Sequence, residues 1–70
     1  MTQPTYYDIL GISLSADTEI IDAAYHALTK KYKNNPNAAH RLVQIRQAYE
    51  TLSDPIKRAD YDLWLQMNAK

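Results

Sequence analysis

The one acid–imidazole pair at helical spacing in this 70-residue chain is Asp22 and His26, four positions apart. At i,i+4 the two side chains can touch. Acid–base or nucleophilic catalysis would also need a nucleophile and a pocket to hold a substrate. No cysteine is present, which excludes thiolate catalysis, thiolate metal sites and disulfides. His26 and His40 alone do not make a structural zinc site. Gly11 is the only glycine, so no glycine-rich loop can cradle a phosphate. Asp60 and Asp62 are two residues apart and face different directions on a helix. The residues therefore point to a non-enzyme with no cofactor and no metal.

The stronger chemical signal is a cluster made for contact. Lys30, Lys31 and Lys33 run into Asn34, Asn35, Pro36 and Asn37. Cations at a helix end can simply complement its dipole. Together with amides that both donate and accept, they also make a partner-binding tip. Lys57, Arg58 and Trp64 form a possible second patch, with Trp64 exposed beside Leu63, Leu65 and Met67 or else closing the core. Eight Lys and Arg balance eight Asp and Glu, which argues against a generic nucleic-acid or membrane-surface binder. The charges are segregated: residues 1–29 hold four acids and no Lys or Arg, and residues 30–46 hold five bases and no acid. The bases of residues 30–46 leave a small helical nucleic-acid binder as the reading of another class, opposed by the neutral total. No apolar run approaches membrane-spanning length, and no basic-then-apolar start marks a signal peptide. With no cysteine, these features favour the cytoplasm. Residues 1–70 read as one domain, either entire or excised from a longer protein.

These groups must be positioned by helices. Alanine is abundant, valine occurs once and phenylalanine never, and no segment alternates with period two. The first helix, about 5–10, has Thr5 and Asp8 placed as a capping box and ends at Gly11 in the left-handed position. The second, about 15–33, starts at Ser15 as N-cap; Ile21, Ala24, Tyr25, Leu28 and Tyr32 give it one buried stripe. Asn34-Asn35-Pro36 stops it. The third, about 38–52, takes Asn37 as N-cap and buries Leu42, Ile45, Ala48, Tyr49 and Leu52. Asp54 caps the fourth, about 55–67, with Pro55 at its first position. Ile56, Ala59, Leu63 and Met67 form its expected stripe, with Tyr61 and Trp64 beside it. A short turn between the second and third helices makes them an antiparallel hairpin, flanked by the other two.

In this order, Tyr6-Tyr7-Asp8-Ile9-Leu10-Gly11-Ile12, then Ala24-Tyr25-x-x-Leu28 with Lys31-Tyr32, then Ile45-x-x-Ala48-Tyr49-x-x-Leu52-Ser53-Asp54-Pro55, then Lys57-Arg58-Ala59-x-Tyr61-Asp62, the chain resembles the J domain of DnaJ-type co-chaperones. The resemblance covers residue 5 to about residue 65 and implies an all-α J-domain fold. It also implies a protein partner. In the family, a His-Pro-Asp signature in the turn after the second helix, with a basic face on that helix, engages a DnaK-type chaperone and stimulates its ATP hydrolysis.

This chain departs from that pattern in both places. An ungapped count from Gly11 puts Lys33, Asn34 and Asn35 at the signature; a two-residue slip puts Asn35-Pro36-Asn37 there. The slip keeps the proline but replaces the carboxylate with an amide, which cannot make the charge-assisted bonds of an Asp. The segment from the turn to Leu42 is also shorter than the family's loop. The positions of the basic face hold Asp22, Ala23, His26 and Ala27, so positive charge survives only at the tip and at Arg41 and Arg46. The core motifs are intact. The resemblance thus implies a J-like interaction module unable to stimulate a DnaK-type ATPase, with a regulatory, pairing or competing role. Its partner would be a DnaK-type chaperone bound weakly or an authentic J protein. The alternative is a divergent active co-chaperone that uses the Asn35-Pro36-Asn37 tip.

Overall fold

A short helix, Tyr6–Leu10 (α1), opens the computed structural model, which describes residues 4–68. Its ends follow from local chemistry. The Asp8 amide donates to Thr5 Oγ1 at 3.1 Å, and the Thr5 amide donates to the Asp8 carboxylate at 2.9 Å. Gly11 sits at φ 68°, where it turns its amide back onto the last turn of α1.

Helix α2 spans Thr18–Tyr32. Its N-cap is Asp17, whose carboxylate accepts from the Ile20 amide at 3.0 Å, and not Ser15. The reason is local competition: the Ser15 amide donates to Ser13 Oγ at 3.2 Å and the two hydroxyls pair at 3.0 Å, which holds residues 13–16 in a turn of their own. The N-cap therefore moves two residues down the chain, from Ser15 to Asp17, and the helix begins at Thr18.

The tip holds a further difference. Asn35, not Asn37, supplies the capping oxygen, accepting from the Asn37 amide at 3.0 Å. The chain then passes through a 3-10 turn, Pro36–Ala38, before α3, Ala39–Leu52, which has no side-chain cap. Proline at the first position of that turn has no amide to lose, and the short Asx turn brings the chain round tightly. Helix α4, Pro55–Asn68, starts as the sequence leads one to expect, with Asp54 Oδ1 accepting from the Ile56 and Lys57 amides at 2.9 and 3.3 Å.

Helices α2 and α3 form the antiparallel hairpin, α1 lies against α3, and α4 packs against α3 as well. The core is Tyr7, Leu10, Ala16, Ile21, Ile45, Ala48 and Leu52, with the stripe residues Ala24, Tyr25, Leu28, Tyr32 and Tyr49 packed against it. The described residues form helices with no strand, the all-α architecture that the resemblance implies.

The face of α4 is reversed from the expectation. Ile56 and Met67 are 75% and 71% exposed, and Leu63 and Trp64 are both 56% exposed. Tyr61 and Leu65 pack on the core instead. Tyr61 explains the choice. Its ring stacks on Tyr6 at 4.6 Å between centroids, and its hydroxyl accepts from the Tyr6 amide at 2.9 Å, one of the donors that a helix start leaves without a partner. Arg58, on the same face, reaches Tyr7 and the loop before α2.

Candidate partner-binding site at the hairpin tip

Helix α2 carries Lys30 and Lys31 in its last turn, with Lys33 as its C-cap, so its cations lie where the helix dipole is negative. All three are exposed, as are Asn34, Asn35, Pro36 and Asn37. The structure therefore brings the tip residues into one exposed group.

Tyr32 organises it. Lys31 Nζ lies 5.5 Å from the centre of the Tyr32 ring, and the Arg41 guanidinium lies 5.6 Å from it. Both are within cation–π range. Arg41 stands in the first turns of α3, yet the tight turn folds it back beside the α2 cations. The sequence reading placed Arg41 in the positive region but not in the tip site; its distance from Lys31 along the chain hid the common ring. Arg46, by contrast, pairs with Glu50 at 3.6 Å on exposed α3 surface.

The tip amides are not equivalent. The Asn35 side-chain oxygen is engaged by the Asn37 backbone, and the Asn35 carbonyl accepts from the Ala38 amide at 3.0 Å. Asn35 therefore shapes the turn, while the Asn34 and Asn37 side chains have no hydrogen bond within the protein among the described residues. At the slipped signature the tip thus presents a neutral Asn37 amide and no carboxylate.

The outer face of α2 carries no cation before Lys30. Ala23, His26 and Ala27 are exposed there. Asp22 and His26 do not act as a pair. The Asp22 carboxylate stands by Tyr49, whose phenol it pushes up, and Tyr49 stacks on Tyr25 at 4.0 Å. The His26 ring packs edge-on to Tyr25 at 5.5 Å.

The second patch is divided. Lys57 and Trp64 are exposed, but Arg58 is turned inward. Its Nε donates to the Tyr7 hydroxyl at 3.0 Å, and one terminal nitrogen donates to the carbonyls of Leu14 and Ala16 at 3.1 and 2.7 Å. The Tyr7 hydroxyl in turn donates to Asp62 at 2.6 Å. Burial first, and then the bond to Asp62, hold the Tyr7 phenol above its usual range. Arg58 thus locks α4 to α1 and to the loop before α2. A shallow depression beside it is lined by Thr18, Leu52, Ser53, Pro55, Arg58, Ala59 and Asp62. No group of three or more potential metal ligands occurs among the described residues. No described helix is long and apolar enough to cross a membrane.

Comparison with known proteins agrees with this geometry. The family profile for the DnaJ domain matches residues 5–62. The chaperone protein DnaJ of Carboxydothermus hydrogenoformans is 50% identical over 62 residues, which cover 81% of this chain and 16% of that protein. Those of Halothermothrix orenii and Geobacillus stearothermophilus are each 47% identical over 66 residues, covering 87% and 89% of this chain and 18% and 17% of theirs. The chain spans about a sixth of the length of these relatives.

Proposed function

The chain belongs to the DnaJ domain family, and from that premise we propose that this co-chaperone-type module binds a protein partner through its hairpin tip without stimulating ATP hydrolysis by a DnaK-type chaperone. The observation that carries the reading is the tip itself. Asn35 is engaged in the turn and Asn37 offers an amide where the family signature has an acid. A carboxylate pairs charge against charge with a cationic partner group; an amide oxygen can still accept from that cation but brings no negative charge to the pair. The outer face of α2 supplies no compensating cations before Lys30. What remains is a positive tip of Lys30, Lys31, Lys33 and Arg41, which suits weak docking on an acidic surface.

The ATPase chemistry in such a pairing belongs to the partner, and the module contributes contacts alone. Its role is then competition for the chaperone or pairing with an authentic J protein. The test is a titration of this chain into a DnaK-type chaperone stimulated by an authentic J domain. Suppression relieved by more chaperone means competition; suppression relieved by more J domain but not by more chaperone means pairing. Absence of suppression at saturating excess refutes both roles.

A second reading, a divergent active co-chaperone, draws on Pro36 and on the Lys31–Tyr32–Arg41 cluster. It requires Lys30→Ala and Lys31→Ala to weaken stimulation and Asn37→Ala to abolish it.

A further inference from the structure

Helix α4 is apolar on two opposite faces. Tyr61 and Leu65 face the core, while Ile56, Leu63, Trp64 and Met67 lie outside it. At 100° per residue the outer four fall within one arc, along with Asp60. Ile56 precedes Asp60 by four residues, Leu63 and Trp64 follow by three and four, and Met67 by seven, so the carboxylate stands in the middle of the apolar stripe. Among the described residues no cation pairs with it; Arg58 pairs with Asp62. Ile56, Leu63, Trp64 and Met67 are all large and more than half exposed, a contiguous apolar patch of the kind that marks interaction sites.

We infer that this outer face of α4 docks an amphipathic helix of a partner protein that carries an Arg or Lys among its apolar anchors. Covering the stripe removes Asp60 from water, and an unpaired carboxylate opposes that strongly. A cation on the partner turns the same group into a register pin. The charge argues against the other occupants. Lipid would meet the carboxylate with hydrocarbon. A second copy packed antiparallel about the stripe's midpoint would set Asp60 against Leu63 and bring the two carboxylates within a turn of each other. The face is separate from the hairpin tip: Arg58 fastens α4 beside Leu14 and Ala16, before the start of α2, and the tip lies beyond its far end.

Trp64 is the only tryptophan and sits in the stripe, so its emission reports occupancy. The probes are synthetic helical peptides without tryptophan, with leucines at helical spacing and Arg, Glu or Leu at the central position in each register. The Arg peptide is expected to shift Trp64 emission to the blue and to bind at least ~10-fold more tightly than the Glu peptide. Asp60→Asn should shrink that preference to less than ~2-fold. Leu63→Glu should abolish binding with the far-UV spectrum unchanged. Equal binding of Arg and Glu peptides, or no binding by any, overturns the inference. Tightest binding by the Leu peptide overturns it in favour of a wholly apolar occupant. Dimerisation of the protein alone overturns it in favour of a second copy. No chaperone enters the assay, so failure here leaves the tip reading untouched.

Discussion

Replacing Arg58 with alanine should come close to unfolding the domain. The guanidinium bonds the Tyr7 hydroxyl, the Leu14 carbonyl and the carbonyl of buried Ala16. A hydrogen bond from a charged donor contributes about 1.5–3 kcal/mol, and stranding a buried acceptor costs about 1–3 kcal/mol. The bonds share one side chain that is still one-fifth exposed, so they do not add fully. A net loss of about 2–4 kcal/mol is expected. A domain of this size has on the order of 3–5 kcal/mol to lose. At about 4–8 °C per kcal/mol, Tm should fall by roughly 10–25 °C. Arg58→Lys keeps the charge but not the fork and should recover less than half of the loss. Lys57→Ala, one residue away and exposed, should stay within about 0.5 kcal/mol of the parent. Urea unfolding followed by far-UV circular dichroism measures all three. If Arg58→Ala unfolds within about 0.5 kcal/mol of the parent, the reasoning that makes Arg58 the clamp between α4, α1 and the loop is wrong.

Gly11→Ala should destabilise by about 1–2 kcal/mol even though its Cβ meets nothing, because the cost lies in the left-handed backbone; a D-alanine at that position should restore the loss. Tyr7 and Tyr61 both have phenols pushed up chiefly by burial, so the folded state holds their protons more tightly than the unfolded state does. That contribution to stability is complete below the ordinary value of 10.0 and is lost as pH rises through the folded values. Tm should therefore fall above that pH, and absorbance at alkaline pH should show these tyrosines ionising later than free tyrosine. The hairpin tip offers a gain-of-function test: Asn35→His and Asn37→Asp, combined with Lys or Arg at Asp22, Ala23, His26 and Ala27, should create stimulation of a DnaK-type ATPase. A folded variant that remains silent would mean that the geometry of the shortened loop matters as much as residue identity.

Where a signal was local and unopposed, the sequence could be read. Thr5, Asp8 and Gly11 bound α1, and Asp54 with Pro55 starts α4, because each cap has one candidate within reach. The stripe of α2 was legible, and that of α3 from Ile45 onward; Leu42, expected in the same stripe, is only half-buried and lies outside the core cluster. Reading failed where two local solutions competed. Ser15 and Asp17 both suit an N-cap, and the Ser13–Ser15 hydroxyl pair decides between them. Asn35 and Asn37 both suit the tip, and the 3-10 turn selects Asn35. Helix α4 carries two apolar faces, and the longer stripe is the exposed one. Tertiary contacts choose the other: Tyr61 meets the open end of α1, and Arg58 reaches carbonyls more than 40 residues away in the chain. Arg41 joined the tip through a ring that both cations share, which periodicity does not register.

The proposed function sets a J-domain fold against a tip that does not drive a partner's ATPase. Single-turnover ATP hydrolysis by a DnaK-type chaperone, with this chain and with an authentic J domain in parallel, tests it most directly. The authentic domain is expected to accelerate hydrolysis, and this chain, folded and at saturating excess, to leave the rate unchanged. Acceleration by this chain alone, lost in Asn37→Ala, would contradict it.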